Sequence, residues 1–180
     1  AQAFTASSTT TYTVTGTDGN SCQNTAQQAI TVNPLPTASA STSTAQVCAG
    51  SSISLTGGAS GGSGGGYNFS WTGPDSYSSS TQSPTVSGTA THDMEGSYNL
   101  TVTDGNTCSS SSSSVSVTVG SAVYYVDDDN GASNSNNGLT SGSPFATVAY
   151  AISKVYCSST TINIAAGSYS EEGITVLDGT

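Results

Sequence analysis

The chain has 180 residues, 33% of them hydrophobic and only 7% charged, and its 11 acidic side chains against one basic give a net charge of −10. That balance repels phosphate backbones and anionic lipid, which excludes nucleic acid as a partner, and no run is long and apolar enough to predict membrane insertion. Ser and Thr supply about a third of the residues while helix-forming Lys, Arg and Glu are nearly absent, which points to β-structure under a hydroxyl-rich surface.

Residues 1–33 open the chain with one hairpin. "TYTVTGT" alternates, "DGN" at 18–20 supplies turn chemistry, and "AITV" alternates again. A single hairpin is too little for a sandwich, so this segment reads as the closing strands of a module whose other strands lie upstream or come from another chain. The motif returns: Cys22, after the first Asp-Gly-Asn turn, and Cys108, after a second, stand 86 positions apart, as in a repeat array. "NPLPTASA", residues 33–40, is a Pro-punctuated junction.

Residues 37–119 hold a complete unit. The strand candidates are "AQVCAG", "SSISLTG", "YNFSWTG", "SPTVSG", "GSYNLTVTD" and "SVSVTV", at the spacing of a small antiparallel sandwich. Between the second and third lies "GGASGGSGGG", 57–66, read as a mobile loop. The serines after Cys108 read as a solvent-facing entry to the last strand, whose Val115, Val117 and Val119 face the core by their period of two; O-glycosylation of the serines is the other reading.

Trp71, the only tryptophan, stands where a central strand presents a large core side chain, and Tyr98 follows "MEGS" in the manner of a tyrosine corner. Together with "VCAGSSISLTG" and "YNLTVTDGNTC", these residues resemble the immunoglobulin-like or PKD-like repeat modules of large secreted and cell-surface proteins of Bacteroidota. The resemblance covers 37–119 fully and 11–32 in part. It implies a disulfide between Cys48 and Cys108, and it leaves Cys22 to a partner outside this sequence.

After Gly120 the pattern changes. Val123–Val126 is a short aromatic and β-branched strand, an Asp/Asn/Gly-rich loop follows, and "SPFATVAYAISKV" reads as a helix. Ser143 is its expected N-cap and Pro144 its first residue, with Phe145, Val148, Ala149 and Ile152 on one face. "YYVDDDNGASNSNNGLTSGSPFATVAYAI" followed by "TINIAAGSYSEEGITV" resembles the entry of right-handed parallel β-helix proteins of the pectate-lyase-like superfamily. That resemblance implies a strand, a loop and a capping helix over residues 122–180, with one or two rungs. The expected fold class is therefore mainly β: immunoglobulin-like or PKD-like sandwich repeats plus the capped start of a parallel β-helix.

Four cysteines without any CxxC pair favour disulfides in an oxidising compartment over zinc. Asp127, Asp128 and Asp129 form the one acidic cluster; they offer oxygen ligands to calcium, or they serve only to make turns and solvate a loop. Asp18 and Asp104, at matching positions, are expected to accept backbone hydrogen bonds within their turns. His92 lies in "ATHDMEG" with no nucleophile elbow to support a catalytic triad. Glu171 and Glu172 are adjacent, so on a strand they point to opposite faces and make a poor glycosidase pair. The β-helix enzymes carry their catalytic groups on later rungs, and Lys154 matches no role among them.

No active site follows from the sequence, and the chain is read as non-enzymatic. The expectation is a stretch of a larger secreted or surface-anchored adhesin, its repeats a stalk, exported by the type IX route that the resemblance implies. Two alternatives stand beside it: the accessory part of an extracellular polysaccharide-degrading enzyme, and a filament subunit completed by strands of a neighbouring copy. Carbohydrate, another cell-surface ligand, or copies of itself are the expected partners.

Overall fold

The computed structural model describes residues 5–63, 66–129 and 131–169. β1 (Thr10–Thr17) and β2 (Gln23–Ile30) pair antiparallel as a two-stranded sheet, with Thr17 opposite Gln23 and Thr10 opposite Ile30. Both strands are exposed along their length apart from half-buried Ile30. Tyr12 and Val14 are large apolar side chains left 40% and 66% exposed on this hairpin, and among the described residues neither strand carries a fully buried side chain.

Eight further strands build the sandwich. One sheet has the order β3 (Pro36–Thr42), β5 (Ile53–Gly61) and β8 (Thr85–Ser87). The other runs β4 (Gln46–Cys48), β10 (Ser113–Gly120), β9 (Gly96–Thr103), β6 (Asn68–Thr72) and β7 (Ser78–Ser79). All pairings are antiparallel except β4 on β10. The strand leaving β3 crosses to the opposite sheet as β4, an arrangement that closes two facing sheets around one core. The inward residues follow the period of two: Ile53 and Leu55, Trp71, then Tyr98, Leu100 and Val102, then Val117 and Val119, all buried. This strand order, with Trp71 on β6 between β9 and the edge strand β7, is an immunoglobulin-like sandwich, as the sequence led us to expect.

Two features of that sandwich depart from expectation. The glycine-rich stretch does not begin as a mobile loop, because Gly57 to Gly61 continue β5 and pair with β3. A Cβ on Gly57 would stand 2.7 Å from the Gln82 carbonyl and 3.1 Å from Leu100. The missing side chains therefore admit close packing. The Pro-punctuated junction expected at 33–40 enters, from Pro36 on, the edge strand β3, whose small Ala38 and Ala40 pack against the core.

β11 (Val123–Val126) follows β10 after two residues and pairs in parallel with β12 (Thr161–Ile164), Tyr124 opposite Ile162. A second apolar cluster, Tyr124, Val126, Phe145, Val148 and Ala151, fills this terminal unit. α1 covers only Val148–Ser153 and is capped by Thr147, whose Oγ1 accepts from the Tyr150 N–H at 3.2 Å. Ser143 and Pro144 therefore lie in the loop before the helix, not at its start. The reason is Phe145: its N–H donates to Tyr125 O (2.9 Å), and its carbonyl accepts from Asp127 N (3.0 Å), holding it extended beside β11. The buried helix face is Val148 and Ala151, while Ile152 is 47% exposed, so the expected apolar stripe is rotated.

Candidate functional site: the joint between sandwich and terminal unit

The two cores meet where β10 ends. Gly120 closes β10 opposite Cys48, and its carbonyl accepts from Ala49 N at 2.8 Å. A Cβ at Gly120 would lie 2.7 Å from the Tyr156 ring and 2.9 Å from Cys157 Sγ, so the segment after α1 can press against the sandwich edge only because residue 120 lacks a side chain. There Cys48 and Cys157 form a disulfide with Cα atoms 5.7 Å apart. This corrects the expected Cys48–Cys108 pairing. Cys48 sits at the far end of β10, whereas Cys108 precedes its start at Ser113. Eight residues of strand put on the order of 25 Å between them, far outside the roughly 7 Å limit for Cα atoms of a disulfide. Cys22 and Cys108 are free thiols.

Cys22 and Cys108 instead follow two copies of one turn. Asp18 Oδ1 accepts from the N–H of Asn20 (2.8 Å) and Cys22 (2.9 Å), and Asp104 Oδ1 accepts from Asn106 and Cys108 (both 2.9 Å). Ser21 and Thr107 take the left-handed conformation at φ 67° and 63°. The Asp104 turn has one further element: its Oδ2 accepts from both N–H and Oγ of Ser63, each at 2.9 Å, across from the end of β5. These donors, the Ser63 N–H foremost, hold the Asp104 carboxyl below its ordinary range against the cost of burial.

Beside the disulfide a cleft of about 530 Å³ opens between the sandwich and the terminal unit. From the sandwich come His92, Asp93 and Glu95, carried on a 3₁₀ turn (His92–Met94) and the residue after it. The terminal unit adds Asn137, Tyr150, Lys154 and Tyr156, so the only histidine and only lysine of the chain share one cavity. Glu95 Oε2 accepts from Val119 N at 3.0 Å, which ties the turn to β10. Lys154 Nζ lies 4.7 Å above the Tyr150 ring. Among the described residues the Tyr156 hydroxyl is buried without a hydrogen-bond partner, and desolvation, with Tyr124 and Glu95 nearby, pushes its pKa up to about 12. No local spacing in the sequence relates residues 92 and 154, and only the β10–β11 continuity brings them together.

The remaining sequence-derived residues have structural places. Trp71 is wholly buried, its Nε1 donating to Gln82 O at 3.3 Å. The Tyr98 hydroxyl donates to Met94 O at 2.7 Å, and the Tyr98 ring lies against Gly73, where a Cβ would collide with it. Asp127, Asp128 and Asp129 bring carboxylate oxygens within 4.8 Å of one another, a set of hard donors. Two are already engaged, Asp127 Oδ1 by Asp129 N (3.3 Å) and Asp128 Oδ2 by Ser168 N (2.8 Å). Hydrogen bonding with Asp127, and the charges of Asp127 and Asp128, raise the Asp129 pKa. Three carboxylates supply part of the roughly six to eight oxygens that calcium takes. Glu171 and Glu172 lie outside the described residues.

No protein-family model matches the chain, and no curated protein matches it. Solved structures of immunoglobulin domains share part of it. An amphioxus IgVJ-C2 molecule is 20% identical, with a TM-score of 0.41 over 59% of this chain and 57% of its own. The N-terminal four Ig domains of Dscam1 isoform 1.9 are 17% identical, with a TM-score of 0.41 over 61% and 27%. The ectodomain of mouse nectin-like molecule 4 is 16% identical, with a TM-score of 0.41 over 62% and 40%. The chain thus spans less than two thirds of each of these structures.

Proposed function

We propose that the chain is a non-catalytic, adhesive or structural part of an extracellular protein, in which immunoglobulin-like modules form a stalk and the joint to the terminal unit is fixed in orientation. The observation that carries this reading is the Cys48–Cys157 bond, which links the edge strand of one core to the segment flanking another. A disulfide closing a loop of 109 positions belongs to an oxidising compartment. The repeated aspartate turn of the N-terminal hairpin supports a serial array, with the stalk at the bacterial surface that the sequence resemblance implies. Units at 1–33, 37–119 and 122–180 are the domains of this proposal.

On the same reading the terminal unit is the entry of a parallel β-helix. Its support is that β11 has parallel neighbours on both edges, β12 on one and the Phe145 bridge on the other. If that helix continues, an accessory role beside a polysaccharide-degrading β-helix is the second reading. Small-angle X-ray scattering of the chain before and after reduction tests the fixed joint. A single narrow distribution of dimensions that broadens on reduction supports it, whereas an equally broad distribution in both states overturns it.

A further inference from the structure

We propose that the N-terminal hairpin is an acceptor surface for the opening strands of a second immunoglobulin-like module, in a register that this chain itself displays. Aligned on the two aspartate turns, "TYTVTGTDGNSC" (11–22) falls on "SYNLTVTDGNTC" (97–108), so that Tyr12, Val14 and Asp18 take the places of Tyr98, Leu100 and Asp104. The strand pairing agrees. Tyr98 faces Val115 and Gly96 faces Val117, while Tyr12 faces Gln28 and Thr10 faces Ile30, which puts Ile30 in the place of Val117.

In the sandwich this face is covered. Tyr98 and Leu100 are buried, β6 runs antiparallel to β9 with Trp71 opposite Leu100, β4 runs parallel to β10, and Ser63 donates twice to Asp104. The hairpin has the same face without the cover. Tyr12 and Val14 are exposed, no third strand pairs with β1 or β2 among the described residues, and no serine among them stands to Asp18 as Ser63 does to Asp104. Two open edges of eight residues each are templates for strand addition.

The occupant follows from that register: a run of strands equivalent to β3 through β8. One lies antiparallel to β1 with a large apolar side chain opposite Val14, another lies parallel to β2, and a hydroxyl donor meets Asp18. Gly16 stands where the sandwich has Val102, and nothing lies within 4 Å of its Cβ position, so the incoming strands have room there for a bulkier side chain. A second copy of the chain fits less well, because its own β4 and β6 are already paired with β10 and β9.

The test adds such strands to the chain. A copy of residues 36–96 is joined ahead of Thr11; it ends on Gly96 because that residue has φ 140° and a Cβ there would meet Pro74 at 2.9 Å, which excludes Thr10 from the position. The copy brings a second tryptophan, the counterpart of Trp71. Acrylamide quenching should find both tryptophans shielded, and amide exchange over residues 12–15 should slow by about a hundred-fold or more against the unextended chain. Gly16→Val in the extended chain should raise the midpoint of the added module, whereas Val14→Asp should expose one tryptophan of the two. An added tryptophan that stays exposed with Gly16 and with Gly16→Val alike would overturn the proposal. So would a dimer of the unextended chain in sedimentation velocity that Val14→Asp dissociates, since a second copy would then be the occupant. The proposal builds on the serial array of the proposed function, while scattering under reduction judges the fixed joint separately.

Discussion

Cys48 and Cys157, 109 positions apart in the chain, are bonded across the junction of two hydrophobic cores. Closing so long a loop restricts the unfolded chain and stabilises the joint by about 2–5 kcal/mol. Cys157→Ala, or reduction, should therefore lower the unfolding free energy of the terminal unit by that order, and its denaturation midpoint with it, while the sandwich keeps its own. Denaturant titration followed by Trp71 fluorescence for the sandwich and by backbone circular dichroism for the whole chain separates the two transitions. Equal loss in both signals would mean that the units unfold as one.

Gly120 is required by contact, since a Cβ there meets Tyr156 and Cys157 within 3 Å. Gly120→Ala is expected to destabilise by about 1–3 kcal/mol, as overpacking does, and to slow formation of the disulfide during oxidative refolding. Gly142, with open space at its Cβ position, is the matched control, and Gly142→Ala should change little.

Asp104 and Asp18 make the same turn, but only Asp104 is buried and reaches Ser63. Asp104→Ala should therefore cost more thermal stability than Asp18→Ala. The lowered pKa of Asp104 fixes the sign with pH: its contribution is present above the unfolded carboxyl value of about 4 and is lost as pH falls through the folded value. Thermal melts between neutral pH and pH 2 should show an acid loss in wild type that Asp104→Ala lacks.

The Tyr156 phenol, raised to about 12, titrates later than an ordinary tyrosine near 10. Neutral in the folded state where the unfolded chain would already ionise, it contributes stability that is full below about pH 10 and is lost as pH rises toward 12. Ultraviolet titration of tyrosinate should show one late-ionising group missing in Tyr156→Phe, and that variant should lose less stability at alkaline pH.

Tyr98 anchors the start of β9 through Met94 O at 2.7 Å. Tyr98→Phe keeps the ring and removes the bond, with an expected loss of about 0.5–1.5 kcal/mol by chemical denaturation.

The sandwich was legible because its core strands alternate strictly and carry Trp71 and Tyr98, signals that a local window contains. Val115, Val117 and Val119 take the inward positions that their spacing predicts, although Val115 is only half-buried. Less legible were the places where a small residue does the packing. Gly57, Ala38 and Ala40 look like loop and linker in sequence, yet they are strand positions chosen for close approach between strands. The helix start was misplaced because Pro144 and Ser143 carry good local capping chemistry, which the tertiary pairing of Phe145 with β11 overrides. The disulfide and the cleft were hidden for a common reason. Both depend on the direction in which β10 delivers the chain into β11, and nothing near Cys48, His92 or Lys154 encodes that direction.

The disulfide map tests the account most directly. With a single Lys and no Arg, trypsin has one site, so digestion of the unreduced chain should use pepsin or chymotrypsin before mass spectrometry. The account predicts one linked pair of peptides carrying Cys48 and Cys157, with Cys108 alkylated as a free thiol. A linked pair carrying Cys48 and Cys108 would contradict it, and the joint would lose the bond that fixes it.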